Sequence, residues 1–264
     1  MIVAEIGWNF LGDMDLAKKM VLSAKDVGCK YVKFQLWDPK NLKKGPWDED
    51  GRREIYNNAY LTDSMYLELY NYATNLKLKC FASVFSDSDY DRLLKVDNDF
   101  IKIPSPEAHD LDLINRSLKD FKNVVVSTGA LKKNELNNLK KFKDCENLHV
   151  LHCVSSYPLD YNDFNSEKFF YIKNNFKNFG YSGHCEGIDD ALFALSNGAT
   201  FIEKHFTTDQ KLKGRDNKFA ILPNDLKYLC EYEKNMKKIQ KKLGLDLQKK
   251  EEEVYKVYRE RWRN

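Results

Sequence analysis

Eight short runs rich in β-branched and aromatic residues constrain this chain more than any other feature. They read MIVAEIG, KYVKFQ, KCFASV, FIKIPS, NVVVSTG, HVLHCVSS, FGYSGH and TFIEKHF. Such residues suit pleated strands covered on both faces. Longer polar or amphipathic segments separate them, as in DMDLAKKMVLSAKDVG, where apolar residues recur every three to four positions and Gly28 ends the predicted helix.

Eight strand–helix units in 264 residues, with no second compositional regime, predict a single (β/α)8 TIM barrel over residues 1–245. Residues 246–264 then form a charged tail, read as a solvated helix. An open doubly wound sheet is the competing architecture. It would carry a glycine-rich phosphate loop after its first strand, and EIGWNFLGD does not fit that pattern.

The composition narrows the function. A chain that is 42% hydrophobic and 31% charged is an ordinary globular protein. With 43 basic and 40 acidic residues the net charge is only +3, too weak a field to hold nucleic acid. No apolar run reaches the roughly 20 residues that span a bilayer, which argues against a membrane partner. Six cysteines with no CxxC pair, and a start lacking the shape of a signal peptide, point to a reducing cytoplasm.

In a barrel, chemistry gathers where the strands end. Those ends offer Glu5, Lys33 with Gln35, Ser83, Lys102 with Ser105 and Glu107, Ser127 with Thr128, Ser155 with Tyr157, Ser182 with His184, and Glu203 with His205. Lysines inside YVKFQ and FIKIPS are costly unless they meet anions. Lys33 and Lys102 therefore either form structural ion pairs with Glu5 or Glu203, or receive an anionic ligand. The small residues of GYSGHCEG leave His184 reachable. With His205 on the adjacent strand it can share an open divalent metal site, or His205 can be an ordinary hydrogen-bonded barrel residue. Cys185 reads as a small filler, and of His149 and His152 on one strand, one is expected to face the helices. The segment 37–60, with two tryptophans, either packs on the barrel top or closes it as a lid.

Taken together, AEIGWNFLGDMDLAKKMVLSAKDVGCKYVKFQ, KIPSPE, VVVSTG, LHCVSSYP, GYSGHCEG and ATFIEKHFTTDQKLKGRD resemble the barrel domain of the sialic acid synthase family. That family condenses phosphoenolpyruvate with an aldose to make 3-deoxy-2-ketoacid sugars for surface polysaccharide. The resemblance implies that Lys33, Lys102 and Ser105 hold the phosphoenolpyruvate anion, helped by Ser83, Ser127, Ser155, Tyr157 and Ser182. It implies that His184 and His205 bind a divalent metal, Mn2+ or Mg2+. Glu107 becomes the acid/base or water-handling group, and Asp216 an acceptor contact beside Glu5, Gln35 and Arg215. It also implies a homodimer.

Three positions depart from the family pattern: NF follows EIGW, SGH replaces Ser-Asp-His, and RDN replaces Pro-Asp-His. All three are expected on the acceptor side or in its support. The family's antifreeze-like C-terminal domain, which gives an arginine to the acceptor's N-acyl group, is expected to have no counterpart within these 264 residues. The acceptor is therefore expected to be altered from N-acetylmannosamine, with Arg215 or the 37–60 loop closing the site. A phosphorylated aldose near KLKGR is a variant of this reading. A catalytically silent sugar- or partner-binding barrel, and a metal-dependent isomerase or aldolase, are the alternatives from other classes.

Overall fold

In a computed structural model that describes residues 1–262, the eight strands close into one parallel barrel in the order β1 to β8. They are β1 (Ile2–Gly7), β2 (Tyr31–Leu36), β3 (Lys79–Val84), β4 (Phe100–Ile103), β5 (Asn123–Ser127), β6 (Leu148–His152), β7 (Asn178–Gly183) and β8 (Phe201–His205). Closure through β1–β8 pairing, with Glu5 opposite His205, excludes the open sheet. Each expected strand is present.

Helices α1 (Met14–Asp26), α2 (Arg52–Asn58), α3 (Asp63–Asn75), α4 (Asp87–Val96), α5 (Leu111–Asp120), α6 (Lys133–Asn138), α7 (Ser166–Asn175), α8 (Asp189–Ser196) and α9 (Pro223–Ile239) join or follow the strands. Local chemistry sets their ends. The Asp13 carboxylate accepts the Leu16 amide at the start of α1. Beyond its end, Gly28 takes φ +87°, which a side chain would resist.

Strand parity divides two interiors. Outward residues such as Ile6, Phe34, Val84, Ile103 and Val126 pack on the helices as the main apolar core. Inward residues at the lower end of the barrel, Val3, Phe81, Phe100, Val125, Leu151 and Phe201, form a separate apolar plug. His149 lies against Phe201, with ring centroids 5.8 Å apart. His152, of opposite parity, packs on Phe164 and Phe169 and bonds the Phe164 carbonyl at 2.6 Å. One histidine of the pair does face the helices.

The segment after β2 holds two 3-10 turns, Pro39–Asn41 and Pro46–Asp48, and then α2. The charged tail departs from expectation. Instead of a regular helix it makes a 3-10 turn, Lys249–Glu251, and a five-residue π turn, Val254–Tyr258, all exposed. Its many charges gain nothing from burial, and no neutral face holds a helix against the barrel. Tail residues 263–264 lie outside the described residues.

Candidate active site

Two residues above the apolar plug, each strand changes character. Glu5, Lys33, Ser83, Lys102, Ser127, Cys153, Ser182 and Glu203 point inward and floor a cavity of about 190 Å³. Gln35, Ser105, Tyr157, His184, His205, Arg215 and Asp216 continue its wall.

The two buried lysines are paired. Lys33 donates to Ser83 Oγ at 2.7 Å and meets Glu5 at 2.7 Å, with Glu203 at 3.8 Å. Lys102 forks onto both Glu203 oxygens at 2.9 and 3.0 Å, and Ser182 donates to the same carboxylate at 3.1 Å. Gln35 donates to Glu5 at 2.6 Å. Burial favours the neutral acid at both glutamates, but the outcomes differ. At Glu203 the two lysines overcome burial and hold the carboxyl down to about 2. At Glu5 burial exceeds the pull of Lys33, the charge on Glu203 adds to it, and the carboxyl is pushed up to about 7. Near neutrality Glu5 is thus held between its two forms beside an ionised Glu203. Of the two readings of these lysines, the structural ion pairs are present.

Three buried polar atoms in this wall have no hydrogen-bond partner among the described residues: Ser127 Oγ, His205 Nδ1, and Glu5 Oε2, which is ion-paired with Lys33. Orphaned groups of this kind mark a place a ligand fills. The His184 and His205 rings lie 5.5 Å apart between centroids, at the tops of adjacent strands. His184 Nδ1 bonds the Val154 carbonyl at 2.8 Å, which fixes the ring and leaves Nε2 for a ligand. His205 Nδ1 is 3.4 Å from Asp216, and burial, then the neighbouring His184 and Lys33, keeps the imidazole neutral as a metal ligand must be. No set of three or more His, Cys, Asp or Glu side chains able to hold a metal occurs among the described residues. The donor set therefore fits an open two-histidine site completed by substrate or water, not a closed structural one.

Asp216, expected at the acceptor, lines the main cavity beside the histidines. It accepts the Trp8 indole at 2.5 Å, and burial pushes its carboxyl up to about 6. Arg215 is exposed at the rim. Ser155 is exposed and outside the cavity wall, although a Cβ at Gly129 would collide with both its Oγ and Ser105 Oγ. The Gly129 amide donates to Ser105 Oγ at 3.0 Å. Glu107 departs furthest from expectation. The turn Ser105–Glu107 carries it around the wall into an adjoining cavity, so that it lines a different space from the lysines.

Of the residues that depart from the family pattern, Phe10, Gly183 and Asn217 fall behind the wall, whereas Arg215 of RDN lines the main cavity. Phe10 is fully buried against Phe34. Asn217 is buried and donates to the Asn9 and Lys213 carbonyls. At Gly183 a Cβ would sit 2.5 Å from both Asp190 Oδ2 and the Tyr181 ring, so the position is closed to any side chain. Phe10, Gly183 and Asn217 adjust packing and do not line the cavity.

Sequence reasoning overlooked Trp8, Arg52 and Tyr56, which all line the main cavity. Arg52 and Tyr56 come from α2, so the 37–60 segment both packs on the barrel and reaches the site. Glu203 was visible as a strand-end residue, yet its central place between Lys102, Lys33 and Ser182 depends on barrel closure.

A closed (β/α)8 barrel whose upper layer joins buried lysines, hydroxyls and paired histidines is the frame of a condensing synthase, a transferase that forms a carbon–carbon bond. Residues 20–244 match the NeuB family, and the chain belongs to it. It is 32% identical over 266 residues to the N,N'-diacetyllegionaminic acid synthase of Campylobacter jejuni, covering 94% of this chain and 79% of that one. It is also 32% identical over 251 residues to the N-acetylneuraminate-9-phosphate synthase of Drosophila melanogaster, covering 89% and 68%. The N-acetylneuraminic acid synthetase of Leptospira borgpetersenii, solved in complex with citrate, superposes with TM-score 0.84 at 28% identity over 98% of this chain and 92% of that one. No helix among the described residues is long and apolar enough to cross a membrane.

Proposed function

We propose that this chain joins phosphoenolpyruvate to an open-chain aldose, releasing phosphate and giving a 3-deoxy-2-ketoacid sugar of the nonulosonate class, with a divalent metal as cofactor. The observation that carries this is the placing of Lys33 and Lys102, buried in strand interiors, around a floor where the Ser127 hydroxyl awaits a partner. By the family resemblance the protein works as a homodimer. Six free cysteines suit a reducing cytoplasm.

Lys33 and Lys102 give charge-assisted bonds to the carboxylate and phosphate of the donor, and Ser83, Ser105, Ser127 and Ser182 give hydroxyl donors. C3 of the donor forms a bond to the aldehyde carbon, whose oxygen gains a proton. Water adds at C2 and gives up a proton. The C2–O bond to phosphate then breaks as the new C2 hydroxyl passes its proton to the departing phosphate, leaving the ketone and inorganic phosphate. Mn2+ or Mg2+ held by His184 and His205 would supply Lewis-acid polarisation of the aldehyde oxygen. Among groups lining the main cavity, Glu5, at about 7, is matched to exchanging a proton near neutrality. Glu107, expected in that role, lines the adjoining space, and the Glu5→Gln and Glu107→Gln variants separate the two assignments. The silent-barrel alternative keeps only Arg215 as a changed residue inside the site, because Phe10, Gly183 and Asn217 sit behind the wall.

The test is phosphate release from phosphoenolpyruvate with Mn2+ across N-acetylated, plain and phosphorylated aldoses. Turnover with one class of aldose, abolished in His184→Ala, is expected. A protein that binds metal yet releases no phosphate with any of them overturns the proposal.

A further inference from the structure

The lower end of the barrel, opposite the candidate active site, holds a pair of thiols. Cys29 stands between the end of α1 and the start of β2, and Cys230 stands on α9; both are buried. Their side chains hydrogen-bond to each other. The Cys29 sulfur also lies 3.4 Å from the Ile2 carbonyl oxygen and 3.3 Å from that of Tyr31, which fixes it against the starts of β1 and β2. Cys153, by contrast, meets Ser105 and His184 in the main cavity.

Burial does not seal the pair off. Cys230 lines a cavity of about 170 Å³ together with Gly28 and Lys30, the residues on either side of Cys29. A water molecule needs only about 10–15 Å³ of such space, so an oxidant as small as hydrogen peroxide fits. On the same wall Lys30, Lys234 and Lys237 outnumber the Glu233 carboxylate, and positive charge favours a thiolate nearby. The two thiols are also unequal. The hydrogen bond with Cys230 lowers the Cys29 thiol against the effect of burial, and the backbone at Tyr31, Ala4 and Lys30 helps. That same hydrogen bond, and then burial, raises Cys230. One sulfur is set to ionise while its neighbour keeps a proton, the arrangement of an attacking and a resolving cysteine.

We propose that Cys29 and Cys230 form a peroxide-reactive dithiol whose oxidised state is a disulfide tying α9 to the start of β2. The Cys29 thiolate attacks one oxygen of the hydroperoxide, the O–O bond breaks, and the departing hydroxide takes up the proton that Cys29 gave away, leaving as water. Cys230 sulfur then attacks the sulfenic acid on Cys29. The S–O bond breaks, and hydroxide leaves with the Cys230 proton as a second water. The two thiols lose two electrons and two protons, and the peroxide gains both. Sulfurs already in hydrogen-bond contact need only a small approach to reach bonding distance. A reversible disulfide of this kind is the form expected in a reducing compartment. The site is independent of the synthase reading, since it shares no residue with the main cavity.

Two measurements on the full chain test it. In the first, the folded and fully reduced wild type meets a small molar excess of hydrogen peroxide, its remaining thiols are alkylated, and its peptides are mapped by mass spectrometry without reductant. The expected product links Cys29 to Cys230, with a loss of two of the six alkylatable thiols that dithiothreitol restores. In the second, Cys230→Ser leaves the sulfenic acid with no resolving partner, and dimedone should trap it on Cys29. The wild-type map decides the pairing whether or not that variant folds. Cys29 and Cys230 that both stay alkylatable while Cys153 is oxidised overturn the proposal. So does a linkage from either of them to another cysteine, or a folded Cys230→Ser variant that takes up no dimedone at Cys29.

Discussion

The barrel interior has two layers built by the same strands and opposite in chemistry. Moving up two residues turns Val3 into Glu5, Tyr31 into Lys33, Phe81 into Ser83, Phe100 into Lys102, Val125 into Ser127 and Phe201 into Glu203. The lower layer closes the barrel with side chains that need only fit. The upper layer is just as buried, yet each of its charges must be answered by another group. Strand geometry is therefore common to both, and the difference between plug and site lies in which residues occupy equivalent positions. A site of this kind is stable only while its polar groups stay mutually satisfied.

The largest effect should come from giving the upper layer the chemistry of the lower one. Lys102→Met alone strands the Glu203 carboxylate, and breaking a buried pair in this way costs about 3–5 kcal/mol. The double variant Lys102→Met/Glu203→Leu should recover most of that stability, since apolar replacements of buried ion pairs are often neutral or better. It should nonetheless lose phosphate release by at least ~10³-fold, because preorganised charge is the main catalytic resource of such a site. Urea unfolding and a phosphate assay on the same preparations check both halves. A double variant that keeps its activity would remove the lysine from the chemistry altogether.

The reverse contrast is next in size. Phe201→Ala opens a hole in the lower layer and should cost about 3–5 kcal/mol, while the folded enzyme keeps its KM for phosphoenolpyruvate. A raised KM would mean that the plug also positions the site.

Acidity separates the layers further. Burial, opposed by Lys33, raises the Glu5 carboxyl from its ordinary 4.5 to about 7. A carboxyl raised on folding contributes stability in full below pH 4.5 and loses it as pH rises through about 7. Wild-type curves hide this, because burial lowers His149 and His152 to about 4, and their contribution is present above 6.5 and lost as pH falls through about 4. The informative quantity is the difference between Glu5→Gln and wild type. That difference should move in favour of the variant between pH 5 and 7.5, by up to about 1.4 kcal/mol per pH unit. A difference independent of pH would show Glu5 ionised throughout.

How much of this was legible in the sequence follows from which interactions are local. Alternating period two and period 3.6 marked every strand, and position along the strand marked Lys33, Lys102, His184 and His205. The partners those residues chose were not legible. Glu203 meets Lys102 from a distance of 101 positions in the chain, and only barrel closure brings them together. Trp8 likewise reaches Asp216 across 208 positions. Loop direction was hidden too. SPE announced a turn at Glu107, but nothing local says which side of the wall that turn presents. Arg52 and Tyr56 sit in a segment whose polar composition resembles any surface loop, and α2 turns them onto the site.

The smallest expected effect lies at the rim, where the two-layer logic ends. Arg215 lines the mouth of the cavity but is exposed and makes no ion pair among the described residues, so water competes for its charge. Exposed charges contribute little, and salt screens them over about 10 Å at 0.1 M. Arg215→Ala should therefore raise the KM for the aldose by no more than about fivefold, the upper range for an exposed pair. Its kcat should be unaltered, and the effect should shrink as salt rises. A change in kcat, or one that survives high salt, would show that Arg215 folds inward over the bound sugar and belongs with the buried charges of the upper layer.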